Sequence, residues 1–178
     1  MRQFVGGDGQ DVSKGVTVIN AVQINDHLAV TGQVIPEQLQ QATQEGYRSV
    51  FNLRSPDELG FLSDEQHLAE SLGLHYVNVP LKLEALNEEL VSAILAQLDQ
   101  MPKPVVLHCA AGFRSAAIAL LSVAIQEGLT PDQVLIRARS LGFKFFEYAC
   151  VNPQLKQQFI HYLVRHTQPL PASCAGGY

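Results

Sequence analysis

The 178-residue chain has no tryptophan, three cysteines, and charged residues at only 16% of the total. Each shortage excludes something. So little charge, beside 47% hydrophobic residues, rules out the charge-rich, apolar-poor composition of a disordered polymer and leaves enough apolar side chains for one core. Twelve Lys and Arg against 17 Asp and Glu leave a net charge of -5, which argues against a broad nucleic-acid surface, where clustered cations must displace counterions. No apolar run is long enough to cross a bilayer, and the opening MRQFVGGDGQ lacks the apolar centre of a signal peptide, so the chain reads as cytosolic with no membrane partner. Cys109, Cys150 and Cys174 cannot all pair and lack metal-site spacing, which suits a reduced compartment. Cys150 sits in the apolar run FKFFEYACV and reads as core. The remaining histidines share no ligand spacing, and no metal is implied.

What is present is regular punctuation. Residues 1–14 and 168–178 are rich in Gly, Pro or polar groups and read as loosely held ends of a single domain over 15–167. Strands are expected at His27–Thr31, Ser49–Leu53, His75–Pro80 and Val105–Leu107. Helices are expected from Pro36 to Gly46, from Ser63 (a capping box with Gln66) to Gly73, and over Glu88–Gln100 behind Asn87. Further helices follow Cys109 as far as Gly128, open at Thr130 with Gln133, and cover Pro153–His166. The continuously apolar Val105-Val106-Leu107 suits a strand buried on both faces. Alternation of this kind gives an α/β fold with a central, mostly parallel sheet flanked by helices.

The chemistry concentrates at Val105-Val-Leu-His-Cys-Ala-Ala-Gly-Phe-Arg-Ser115, a buried strand running through a tight loop into an apolar helix. Backbone N–H groups of Ala110, Ala111, Gly112, Phe113 and Arg114 can curl around a tetrahedral anion at the helix N-terminus, and the small residues let the backbone approach it. A thiol at the mouth of that nest feels the same positive potential, which favours the thiolate of Cys109. Arg114 supplies a planar fork for two phosphoryl oxygens, and Ser115 can hydrogen-bond the sulfur. Alone, such a Cys is usually an apolar filler and such an Arg usually solvated, but an Arg at the positive end of a helix needs a reason. His108 points opposite to Cys109 and can brace the loop through hydrogen bonds to backbone groups. Arg54, at a strand's carboxyl end, can face the crevice, with Asp57 or Glu58 available to pair with Arg54 or Arg114.

His108-Cys109…Gly112…Arg114-Ser115 resembles the signature of the cysteine-dependent phosphatases, the tyrosine and dual-specificity group. That group usually has five residues between Cys and Arg, and this chain has four. The shorter loop resembles a small bacterial family of dual-specificity-phosphatase-like domains, some described as beta-lactamase-hydrolase-like. Ser49-Val-Phe-Asn-Leu-Arg54 with Glu58, Tyr76-Val-Asn-Val-Pro80 and Pro104-Val-Val-Leu-His-Cys109 extend the similarity over about residues 25 to 125. The resemblance implies a phosphatase fold, a cysteinyl-phosphate intermediate, a phosphorylated protein or small molecule as substrate, and no cofactor. It also places a leaving-group acid after the strand at Tyr76. There Leu81-Lys-Leu-Glu-Ala-Leu-Asn87 holds one acid, Glu84, where the group usually has Asp. Two alternatives stay open: a rhodanese-like sulfurtransferase carrying a persulfide on Cys109, and a silent phosphate-binding module. Against rhodanese stand His108 before the Cys and the absence of the Gly-His-Ile…Gly-Ala segment after Arg54.

Overall fold

In a computed structural model, residues 20–143 and 153–167 are described. The terminal segments, the Cys150 run and Cys174 lie outside them. Five strands form one sheet: β1 (Val22–Asn25), β2 (Leu28–Thr31), β3 (Ser49–Asn52), β4 (His75–Asn78) and β5 (Val105–His108), in the order β1-β2-β5-β3-β4. Only β1 runs antiparallel, so the sheet is mostly parallel, as expected. β1 was not anticipated. Its VQIN carries just two apolar residues, and it holds to the edge by a hairpin whose turn Asn25 closes by accepting from the His27 and Leu28 amides.

Six helices occur among the described residues: α1 (Pro36–Gln44), α2 (Glu65–Ser71), α3 (Glu88–Gln100), α4 (Phe113–Glu127), α5 (Pro131–Ser140) and α6 (Pro153–His166). Their starts follow local chemistry. Asn87 accepts from the Leu90 amide at 2.8 Å, and Thr130 and Gln133 form the expected capping box. The capping box expected at Ser63 and Gln66 does not form. α2 begins at Glu65, whose side chain turns inward, and Gln66 instead donates to Glu70 one turn on.

The strands' two-residue period divides the chain between two layers. Phe51, Leu53, Val105, Leu107 and Cys109 join the core formed with α3, α4 and α6. Val106 packs with Ala42 of α1, and Val50 with Leu39 of α1 and Ala69 of α2. α4 is the pillar of the larger layer, buried from Ser115 to Ala124. Phe51 is fully buried, and its truncation to Ala is expected to cost about 3–5 kcal/mol. Because β2, β3, β4 and β5 run parallel, the segments after them meet at one end of the sheet. That end carries Arg54, Glu84, His108 and the loop Cys109–Ser115.

Candidate active site

β5 sits between β2 and β3, pairing His108 with Thr31 on one side and Asn52 on the other. It delivers Cys109 into a loop that α4 closes. Gly112 turns the loop at φ +88°, which L side chains rarely adopt, and its N–H points at the Cys109 sulfur at 3.2 Å. Gly32 lets the segment after β2 lie against this loop, since a Cβ there would sit 3.0 Å from the Ala110 carbonyl oxygen. The next amide, that of Gln33, donates to that oxygen at 3.0 Å.

Cys109 was expected at the mouth of the nest. It is 1% exposed and lies on the floor, because strand alternation carries it to the core side with Val105 and Leu107. Ala110 and Ala111 form the exposed rim, and Phe113 is exposed at the helix start. Ser115 Oγ is 3.8 Å from the sulfur but nearer to two carbonyls, Gly112 O at 2.9 Å and Thr31 O at 3.1 Å. With one proton to give, its hydroxyl ties the loop to β2 more closely than to the thiol.

Arg114 is half-buried and held from three sides. Its Nη1 and Nη2 donate to the two Glu58 oxygens, each at 2.7 Å, and Nη1 also reaches the carbonyls of Leu53 at 3.2 Å and Leu81 at 3.1 Å. The bond to Glu58 raises the Arg114 pKa above its usual value, with the nearby Cys109 adding to the effect, and brings the Glu58 carboxyl down to about 2. The expected pairing near Arg54 and Arg114 therefore falls to Glu58, which takes both; its Oε2 also accepts from Arg54 Nε at 3.3 Å. Asp57 pairs instead with Lys82 at 2.8 Å, and the Lys82 and Ser55 hydrogen bonds bring it too to about 2.

Arg54 does not face the open crevice. It is 3% exposed, and its guanidinium is spent on Gln33, Glu58 and the carbonyls of Leu59 and Gly60. His108 likewise corrects an expectation. It does point opposite to Cys109, but its side chain reaches no backbone group; Nε2 meets Glu65 Oε1 at 2.6 Å, both residues fully buried. Glu84 is exposed on a 3-10 turn, Leu83–Ala85, and lines a cavity of about 310 Å³ with Ser55, Asp57, Glu58, Lys82 and Arg114.

Sequence reasoning missed Glu65, Gln33 and Lys82. Glu65 carried no signal beyond a helix-start acid. Gln33 had one faint cue, its place just after a glycine at a strand's carboxyl end. Lys82 carried no signal, since a lone lysine in a loop is ordinarily a solvated charge.

A mostly parallel sheet that ends in a Cys–Gly–Arg loop at a helix start defines the class as the cysteine-phosphatase fold of the tyrosine and dual-specificity type. The chain belongs to the phosphatase-like domain family of beta-lactamase hydrolase-like proteins, whose family model matches residues 21–126. It is 30% identical over 126 residues to a beta-lactamase hydrolase-like protein of Xylella fastidiosa (strain Temecula1 / ATCC 700964), a stretch that is 68% of this chain and 29% of that protein. The chain thus spans less than a third of the curated relative's length. A DUF442 protein from Shewanella putrefaciens CN-32 superposes with a TM-score of 0.71 at 25% identity, over 83% of this chain and 91% of that one. Tk-PTP in its active form gives a TM-score of 0.65 at 20% identity, over 82% and 96%.

Proposed function

We propose that this domain hydrolyses phosphoric monoesters through a cysteinyl-phosphate intermediate, with Cys109 as nucleophile. The observation that carries the reading is how Arg114 is held. Glu58 occupies the end of the guanidinium formed by Nη1 and Nη2. What remains is the side edge, Nε–H with the second Nη2 proton, a parallel pair of donors suited to two phosphoryl oxygens. An arginine so clamped meets the charge of a transferring phosphoryl group without first having to order itself.

In the first step the Cys109 thiolate attacks phosphorus, the S–P bond forms, and the P–O bond to the leaving group breaks. The Gly112 N–H steadies the sulfur before attack and again when it leaves. The leaving oxygen takes a proton from Glu84. Three carboxyls line the cavity beside Arg114, and two of them are already engaged, Asp57 by Lys82 at 2.8 Å and Glu58 by Arg114 at 2.7 Å. That supports Glu84 for the role. In the second step water attacks phosphorus, Glu84 takes back a proton, the S–P bond breaks, and inorganic phosphate departs. Ser115 orders the loop, Ala110 to Arg114 cradle the phosphate, and His108 and Arg54 brace this assembly from behind. The substrate is a phosphorylated protein or small molecule, and the domain acts without metal or cofactor, in the cytoplasm.

The test is turnover of an activated aryl phosphate in the presence of a chelator. Wild-type protein is expected to be active and Cys109→Ser inert with its fold intact. Activity surviving in the serine variant would falsify the mechanism. Thiocyanate formed from thiosulfate and cyanide, with no ester turnover, would assign Cys109 to sulfur transfer instead.

A further inference from the structure

The mechanism gives no role to a fully buried acid, Glu65, which contacts the bracing imidazole of His108. Glu65 is 1% exposed at the start of α2, and its two oxygens face His108, Asn52 and Gln33, with the Tyr76 hydroxyl beside them. Oε1 lies 2.6 Å from His108 Nε2 and 3.3 Å from Asn52 Nδ2, while Oε2 accepts from Gln33 Nε2 at 2.9 Å. This short contact fixes the tilt of the His108 ring, and with Glu65 as the acceptor it assigns the hydrogen to Nε2. The other ring nitrogen, Nδ1, is buried and has no partner among the described residues, so nothing else fixes it.

From Glu65 two chains of bonds run to the loop. One is direct, to His108, the residue before the nucleophile. The other passes through Gln33, whose amide oxygen accepts from Arg54 Nη1; Arg54 bonds Glu58, and Glu58 clamps Arg114. Gln33 also touches the loop itself, through its backbone N–H to Ala110 O at 3.0 Å. A carboxylate is costly to remove from water, and an apolar residue would anchor α2 at least as well.

We propose that Glu65 is a positioning residue for the phosphate loop, setting His108 at one end and, through Gln33, Arg54 and Glu58, the Arg114 fork at the other. This rests on reading Cys109–Ser115 as a phosphate-binding loop. It makes no use of turnover, so binding alone can test it.

The polarity of the network supplies the experiment. In Glu65→Gln the side-chain oxygen can satisfy His108 and Asn52, but the new NH₂ then faces the NH₂ of Gln33. If Gln33 flips to accept, its NH₂ faces the Arg54 guanidinium instead, so the mismatch travels toward Arg114. Adding Gln33→Glu restores the match on that side, because residue 65 then donates to residue 33 and residue 33 accepts from both residue 65 and Arg54, but it gives up the bond from Gln33 Nε2 to the Val34 carbonyl at 3.0 Å, so the rescue is partial. Affinity for inorganic phosphate is read from its protection of Cys109 against alkylation by iodoacetate, with thermal unfolding followed in parallel.

Glu65→Gln is expected to weaken phosphate binding about tenfold or more, and the double variant to bind about threefold or more tighter than Glu65→Gln. Unchanged affinity in the single variant would overturn the proposal. So would a double variant that binds no better than Glu65→Gln, because the polarity of the network would then not matter. Should Glu65→Gln not fold, Gln33→Met at a half-buried position cuts the same link while keeping the backbone bond to Ala110. It is expected to weaken phosphate several-fold, and no change there would equally overturn the idea. A wild-type protein that binds phosphate but turns over no ester sinks the phosphatase reading and leaves this proposal to be judged on the variants. Wild-type protein with no phosphate protection overturns both.

Discussion

The loop between β5 and α4 and the segment between β4 and α3 bound the same crevice and are built in opposite ways. The first is tied down at nearly every residue: His108 by Glu65, Ala110 by Gln33, the Cys109 sulfur by Gly112, Ser115 by Thr31, and Arg114 by Glu58 and two carbonyls. The second carries Glu84 on one 3-10 turn with no buried residue, secured beside it by an exposed Lys82–Asp57 pair. Binding and attack on phosphorus need fixed dipoles and a fixed fork. A proton donor must follow leaving oxygens of different size and can tolerate a looser mount. The two sides should therefore fail differently when altered.

The largest effect is expected on the rigid side. Arg114→Lys should lower turnover by ~10²–10³-fold on every ester, since an ammonium replaces neither the fork nor its bond to Glu58. A lysine variant with near-wild-type rates would remove the rigid side from the chemistry. Glu84→Gln should be selective. With phenyl or alkyl phosphates the loss is expected to reach ~10²-fold, with highly activated esters only a few-fold, and the alkaline limb of the pH profile should flatten. A small, uniform loss across leaving groups would show that Glu84 takes no part. Glu58→Gln, which loosens Arg114 without removing it, should cost about tenfold in turnover.

Glu58 sharpens the comparison further through pH. Its carboxyl is brought from 4.5 to about 2 in the folded protein, so its stabilising contribution is complete above about pH 4.5 and fades as the pH falls toward 2. The stability difference between wild type and Glu58→Gln should shrink across that window in acid-unfolding titrations. A difference that stays constant down to pH 2 would mean that the Glu58–Arg114 pair adds nothing to the folded state.

The same contrast explains what the sequence made legible. The strand–loop–helix around Cys109 was readable because local composition dictates it: three consecutive buried apolar residues, then small ones, then a helix so apolar that it must be central. Gly112 turned the chain where a turn was expected. Asn87 and Thr130 capped their helices for equally local reasons. What escaped depends on contacts distant in the chain. Glu65 and His108 are 43 residues apart, and Gln33 and Glu65 are 32 apart. No spacing rule reveals that a helix-start acid will turn inward to meet a strand-end histidine. The depth of Cys109 was misjudged for a related reason, since the strand's alternation continues one residue past β5 and takes the sulfur to the core side. β1 escaped because a half-exposed edge strand of four residues carries too little pattern to register.

Everything proposed for this site depends on transfer of a phosphoryl group to sulfur. Rapid acid quenching of wild-type protein with an aryl phosphate, followed by mass analysis of the peptide bearing residue 109, tests it most directly. One phosphoryl group is expected on Cys109, accumulating further in Glu84→Gln because Glu84 also assists the second step, and none on the Cys109→Ser protein. Ester turnover with no phosphoryl group on Cys109 under conditions that would trap it, or a phosphoryl group on another residue, would rule out Cys109 as the nucleophile.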